Sequence, residues 1–473
     1  MINKEIVDQW REKNKRVKGY VHFDTKKSSL SVNIDEYITD PGKIVTHSFY
    51  PFLQTEIVFK KFNKQNPTKP KKKIRTISYS SHIDRLIYSY YSQILNNEYN
   101  KYANENCIND NSIAYRSNLK KNNIHFAKDV FDFIRQNERC FIMVGDFSSF
   151  FDNLDHLYLK EQLCKVLNVT RLSKDWYAIF KTITEYSYCK LEDIKKILGM
   201  TYSELNQKDR IFTTEEFRNL RKQKKLNIYK NKNVGIPQGS AISAVLANVY
   251  MIDFDAKMKE YVSQFNGNYF RYSDDFIIII PLINRTEITQ KIEITKKIDI
   301  SKNIEVNTKI NIDERIEIKK KLDRNSIKKA INDILSEAKG VKIAKEKTKF
   351  YIYQNNILID EENTNQKVYL DYLGFSFDGH EIYLRDKTLS KYYYRMYRKI
   401  KTIIRNNGIT HKNNVISCAD LYDKYSIKKK REKGNFITYI QRIEKIFGKN
   451  DSKNISRIKY RHLKKIKNRL KQI

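Results

Sequence analysis

"RYSDDFIIII", Arg271 to Ile280, sets two adjacent carboxylates, Asp274 and Asp275, against five consecutive apolar side chains. Like charges a few ångströms apart repel, and burying either one without a partner costs on the order of several kcal/mol. A strand that only had to pack would avoid the pair, so the stretch reads as a place that receives positive charge. Upstream, "CFIMVGDFSSFFDNLDH" is apolar from Cys140 to Val144 without helical spacing, which predicts a buried strand delivering Asp146 at its end. Between the two, "GIPQGSAISAVLANVYM" (235–251) predicts a glycine-containing turn followed by a helix starting near Ser240. Downstream lie "AKEKTKFYIY" (344–353) and "YLDYLGFSF" (369–377).

The surroundings of these segments limit the function classes. The chain has 473 residues, 40% of them hydrophobic, enough for several lobes with a sizeable core and too many for a disordered tail. A formal net charge of +36 indicates a polyanionic partner, nucleic acid first. The charge clusters: residues 381–473 hold 27 basic and 7 acidic side chains, which predicts a basic C-terminal lobe. Five cysteines, Cys107, Cys140, Cys164, Cys189 and Cys418, contain no CxxC pair, consistent with a reducing compartment and against a structural zinc site. The N-terminus lacks the apolar core of a signal peptide and no run reaches the ~18 apolar residues of a membrane span. A cytoplasmic protein without membrane contact is expected.

Along the chain, "KQNPTKPKKKIRTI" reads as a solvated connection after a basic N-terminal extension. "SHIDRLIYSYYSQIL" and "NIHFAKDVFDFIRQN" have the apolar spacing of amphipathic helices. The polar, basic stretch 207–233 reads as a loop or arm. From Lys291 the sequence runs KIEITK, KIDISK, NIEVNT, KINIDE, RIEIKK, with aliphatic side chains at the second and fourth place of each hexad. Six residues turn a helix by about 600°, so these positions would spiral around it, whereas a strand of period two gathers them on one face. An extended ribbon or small solenoid, or else an expanded low-complexity insert, is expected there. "NSIKKAINDILSEAKG" reads as a capped helix closed by Gly340.

Paired carboxylates on separate strands suit nucleotidyl transfer. A hydroxyl must attack phosphorus in line while pyrophosphate leaves, and two divalent ions ~3.5–4 Å apart can clamp both oxygens. Mg²⁺ takes only one or two carboxylates and fills its shell with water and phosphate oxygens, so Asp146 and Asp274 would suffice, with Asp275 as third acid.

In order and content these segments resemble the successive palm motifs of reverse transcriptases over roughly 75–377, most closely the bacterial group that includes group II intron, retron and phage-defence enzymes. The resemblance implies an α+β right-hand polymerase: fingers, a palm built on an antiparallel sheet flanked by helices, and a basic α-helical C-terminal thumb. It suggests an N-terminal extension at 1–72, fingers at 73–145, palm with fingers insertions at 146–283, the hexad insertion at 284–325, palm again at 326–378 and thumb at 379–473. It implies metal and catalytic roles for Asp146, Asp274 and Asp275, with two Mg²⁺ or Mn²⁺ ions, and for Lys347 as proton donor to departing pyrophosphate. Phe151 would wall off the sugar 2′ position and favour dNTP, or else be a core aromatic beside Phe150. Gln238 would lie along the incoming nucleotide. Lys73, Arg75 and Arg116 are candidate triphosphate ligands.

In "LSKYYYRMYRKIKTIIRNN", Lys391, Tyr392, Arg395, Arg398 and Lys399 would track nucleic acid; each tyrosine either stacks on it or packs against the palm. YSDD carries serine where alanine is commonest, and motif B reads "QGSAIS". The expected partners are dNTP, an RNA template and a DNA product; a dedicated non-coding RNA and homo-oligomerisation are compatible. The implied activity is RNA-directed DNA synthesis in phage defence. Alternatives are a maturase-type RNA-binding scaffold, an RNA polymerase of similar shape, and template-independent or protein-primed DNA synthesis.

Overall fold

The computed structural model describes residues 4–15, 19–26, 32–61, 71–282, 324–362, 366–406, 418–428 and 434–470. The hexad run at 291–320 and the proline-containing connection before Lys71 lie outside the described residues. The strands are β1 (Phe52–Lys61), β2 (Lys71–Tyr79), β3 (Arg139–Asp146), β4 (Ser187–Lys190), β5 (Tyr229–Lys230), β6 (Asn268–Tyr272), β7 (Asp275–Pro281), β8 (Lys349–Gln354), β9 (Ile357–Asp360), β10 (Leu370–Tyr372), β11 (Phe375–Phe377) and β12 (Ile382–Leu384).

Five of them form the central antiparallel sheet in the order β6-β7-β3-β8-β9. Its middle strands read as unbroken apolar runs because both faces are covered. Phe141, Met143, Phe276, Ile278 and Ile280 point into one core, with the helices His82–Glu105, Ser243–Tyr250 and Ile252–Ser263. Cys140, Ile142, Ile277 and Ile279 point into another, formed with the helix Asn123–Arg135, the sheet β10-β11-β12 and the helices Phe436–Phe447 and Lys453–Leu470. Period two thus divides one hydrophobic run between two cores, each fully buried Ile or Phe contributing about 1.5–3 kcal/mol. The expected strand ending at Asp146 and both expected helices are present, the first running on to Glu105. The expected helix beyond the insert is Arg324–Ser336.

Two expectations about the fingers are corrected. Residues 1–72 are not a mere extension: the helix Lys4–Asn14 buries Ile6, Val7 and Trp10 in the main core, and β1 forms a hairpin with β2. The hairpin continues into a four-stranded sheet of order β2-β1-β4-β5. The stretch 207–233 is not all loop either. Thr213 and Glu216 form a capping box for the helix Thr214–Lys222, whose Phe217 and Leu220 pack on the fingers core. Within that helix two apolar side chains are too few to display a period.

The C-terminal lobe is helical: Asp386–Arg405, Cys418–Tyr425, Phe436–Phe447 and Lys453–Leu470. The first buries Tyr392, Met396, Ile400 and Ile403, a stripe at helical spacing, and turns its basic residues outward. Among the described residues, no helix is long and apolar enough to cross a membrane.

Candidate active site

The carboxylates meet because of strand register. β3 and β7 pair with Asp146 opposite Asp275, while β6 and β7 close a hairpin whose turn holds Ser273 and Asp274. Ser273 takes the left-handed conformation, φ 63°, that the tight turn needs. The Phe147 amide donates to the Asp274 carbonyl at 3.0 Å, fixing the turn to the end of β3. Gly145 makes the close approach possible, since a Cβ there would lie 2.2 Å from the Phe276 ring. The segment following the hexad insert is tied in at the same point: the Ala344 amide donates to the Asp146 carbonyl at 2.7 Å.

The acids perturb one another. Burial pushes the Asp274 carboxyl above its ordinary value and the nearby Asp146 adds to the shift, while a backbone amide, Lys347 and Arg75 act against it. Asp275 is pushed up to about 6, first by burial and then by Asp274 and Asp146, with Lys347 and Arg385 opposing. Asp146 Oδ2 accepts from the Lys347 ammonium, whereas its Oδ1 is buried without a hydrogen-bond donor. Among the described residues no three His, Cys, Asp or Glu side chains form a ready-made metal cage. What is present is a hard anionic oxygen with no donor, beside two further carboxylates of raised affinity for protons. That chemistry fits a hard divalent cation which keeps much of its shell in water and phosphate oxygens.

Beneath the turn lies a buried charged platform that sequence reasoning missed. Arg271 and Asp255 are both fully buried, joined from Nε at 2.8 Å and Nη2 at 2.6 Å. Arg271 Nη1 also donates to the Ser273 carbonyl at 3.1 Å and to Asn248 Oδ1 at 3.3 Å, and Nη2 donates to Ser112 Oγ at 2.9 Å. The Tyr269 hydroxyl donates to Asp255 Oδ1 at 2.8 Å. The YSDD turn is therefore held from below by a guanidinium. The available signal was Arg271 itself, a charge two places from Tyr269 on one face of a strand, and Asp255, one of two acids in the first turn of its helix.

Of the remaining candidates, Arg75 is exposed on β2, its guanidinium 5.6 Å from the Phe59 ring, and its charge reaches Asp274. Lys73, two residues earlier and half-buried, shares that face. Phe151 is half-buried in a short 3₁₀ turn beside Phe150, its carbonyl accepting from the Ile236 amide at 2.8 Å, so the site brings it against the Gly235–Gln238 segment. Gln238 is held by its carbonyl, which accepts from the Ser78 amide of β2 at 2.7 Å. Gly239, at φ 119°, lets the chain pass within contact of Ser78, where a Cβ would meet the carbonyl oxygen at 2.7 Å.

Two candidates are corrected. Arg116 is buried and its guanidinium is spent on Asn100, on the carbonyls of Asn109 and Ser112, and on the Asn109 side chain. These four hydrogen bonds tie Arg116 into its own loop and to Asn100, so its place in the structure is that of a loop anchor. Tyr392 is a core residue, stacked on Phe436 at 4.2 Å with its hydroxyl donating to the Tyr425 carbonyl at 2.7 Å. Lys391, Arg395 and Arg398 lie exposed on the opposite side of that helix, Lys399 half-buried beside them.

The sequence profile of reverse transcriptases (RNA-dependent DNA polymerases) matches residues 62–311, more than half of the chain. The chain belongs to this family. The reverse transcriptase profile thus spans β2, the Asp146 strand, the Gly235–Gln238 turn and the YSDD hairpin. Solved structures similar to it include apo telomerase from Candida tropicalis truncated from its C-terminal domain, at 11% identity and TM-score 0.40, covering 74% of this chain and 59% of that one. Another is telomerase from Candida albicans in complex with a fragment of telomeric RNA, at 12% identity and TM-score 0.39, covering 92% of this chain and 56% of that one. This reverse transcriptase chain therefore spans less than two thirds of either. No curated protein sequence matches it.

Proposed function

We propose that the chain is an RNA-directed DNA polymerase that adds dNTPs to a DNA 3′ end. The observation that supports this best is the register that sets Asp146 opposite Asp275 with Asp274 in the adjoining turn, together with the buried, donor-less Oδ1 of Asp146. Asp146 and Asp274, supported by Asp275, would hold two Mg²⁺ or Mn²⁺ ions; when bound, such ions activate the attacking hydroxyl and neutralise charge on the leaving oxygen. Lys73 and Arg75 neutralise the triphosphate from the fingers, and Gln238 lies along the nucleotide. Phe151 excludes a 2′-hydroxyl by its bulk. Lys347 Nζ releases Asp146 and gives a proton to departing pyrophosphate. Lys391, Arg395, Arg398 and Lys399 follow the phosphates of the template–product duplex.

Within the family, the order and content of the motifs resemble most closely the bacterial group that includes group II intron, retron and phage-defence enzymes; the "QGSAIS" of motif B departs from the retron pattern and favours the phage-defence branch. Labelled dNTP incorporation on an RNA homopolymer with a DNA primer tests the activity. Asp274→Ala should abolish incorporation with the melting temperature and RNA affinity nearly unchanged. Continued synthesis by that variant, or preference for rNTP, would overturn the reading. Loss of phage protection in cells carrying Asp274→Ala tests the defence role.

A further inference from the structure

The loop from Asn111 to Arg116 has no part in the chemistry proposed above, yet almost every residue of it is fastened to the palm. The Arg271 amide donates to the Asn111 carbonyl at 2.7 Å, the Ile113 amide to the Arg271 carbonyl at 3.0 Å, and Asn248 Nδ2 to the Ala114 carbonyl at 2.9 Å. Asn111 Nδ2 donates to the Tyr269 carbonyl at 2.8 Å, and Ser112 bridges Arg271 in parallel, so the loop flanks the outer side of β6. Arg116 closes the segment with its buried guanidinium. Tyr115, between these anchors, is different. Its backbone is left-handed, φ 63°, which a bulky aromatic residue adopts only under constraint, and its side chain remains 47% exposed. Strain is tolerated here without burial in return.

The Tyr115 hydroxyl donates to Ser273 Oγ at 3.2 Å, and its ring centroid lies 6.5 Å from that of Tyr272. Ser273, also left-handed, has its carbonyl held by Arg271, so the phenol supplies the hold on its side chain. Across the tip of the sheet the order is Tyr115, the YSDD turn, Asp146, then Lys347. Tyr115 grips the turn from the side opposite Lys347. We propose that Tyr115 is a positioning residue: acting through the Ser273 hydroxyl, it confines the turn and holds Asp274 in one orientation. An alanine at 273 would leave the phenol without this acceptor, which gives the serine of this chain a specific purpose.

The catalytic part of the inference rests on the polymerase reading; the conformational part does not, and the experiment separates them. In the full chain, Tyr115→Phe, Ser273→Ala and the double variant are compared by hydrogen–deuterium exchange of the peptide covering the turn. Exchange should quicken by roughly two- to tenfold in each, the double variant no faster than either single one. The kcat for dNTP incorporation should fall by a similar factor with KM unchanged. Tyr115→Asn, which accepts the left-handed backbone, should melt no lower than the parent while showing the same faster exchange. Unchanged exchange, effects that multiply in the double variant, or a lower melting temperature for Tyr115→Asn would overturn the inference. If the parent protein incorporates no dNTP, the polymerase reading fails and the exchange result still decides the role of Tyr115.

Discussion

Replacing Arg271 by methionine tests whether the YSDD turn depends on the charged platform below it. The substitution keeps the length of the side chain and removes five hydrogen bonds, two to Asp255 and one each to Asn248, Ser112 and the Ser273 carbonyl. Asp255 is then left fully buried with the Tyr269 hydroxyl as its remaining side-chain donor. Removing one partner of a buried pair costs about 3–5 kcal/mol, chiefly because the other charge stays behind uncompensated. Replacing Asp255 by leucine as well removes that charge. The double variant should therefore be more stable than the single one yet remain below the parent, because the Tyr269 hydroxyl and the acceptors at Asn248, Ser112 and Ser273 stay unpaired, each at a cost of about 1–3 kcal/mol.

Both tryptophans, Trp10 and Trp176, pack on the same core as Tyr269, so urea unfolding followed by their fluorescence reads the relevant region. With a slope of about 3 kcal/mol per molar, the single variant should shift the midpoint down by roughly 1 M or more. Activity should behave differently from stability: nucleotide incorporation stays depressed in the double variant, because the Ser273 carbonyl still lacks its donor. A single variant that loses less than about 1 kcal/mol, or a double variant that recovers stability and incorporation together, would refute the reasoning.

Because Asp275 is raised to about 6 in the folded protein, the folded state binds more protons than the unfolded chain between about pH 4 and 6. Its contribution to stability is present at low pH and is lost as the pH rises through 6; melting temperatures in chelator should show this loss, and Asp275→Asn should lack it. Lys347→Met removes the ammonium that occupies Asp146 Oδ2, so Mn²⁺ should bind at lower concentration by titration calorimetry, while kcat falls. Phe151→Ala should relax sugar selection, measured as the ratio of rNTP to dNTP incorporation; an unchanged ratio would remove the gate.

The palm was legible because its sequence is constrained twice. Cys140–Val144 and Phe276–Ile280 must be apolar at every position when both faces are buried, and the acids at their ends then stand out against that background. Register did the rest, since antiparallel pairing of two such strands aligns their polar ends. Side chains whose partners come from distant segments were not legible. Arg116 looks like any cation in a basic chain until Asn100 and Asn109 fold around it, and Tyr392 looks like a stacking ring until Phe436 and Tyr425 enclose it. The fingers were missed at their N-terminal boundary because β1 contains both apolar and charged residues, as befits a ribbon that leaves Ile57, Val58 and Phe59 exposed.

β3 and β7 are a partition one strand thick, and each core leans on it from its own side. A wall of that kind cannot yield toward one room without intruding on the other. Asp146 ends β3 and Asp275 begins β7, so the acids stand at the rim of that shared wall.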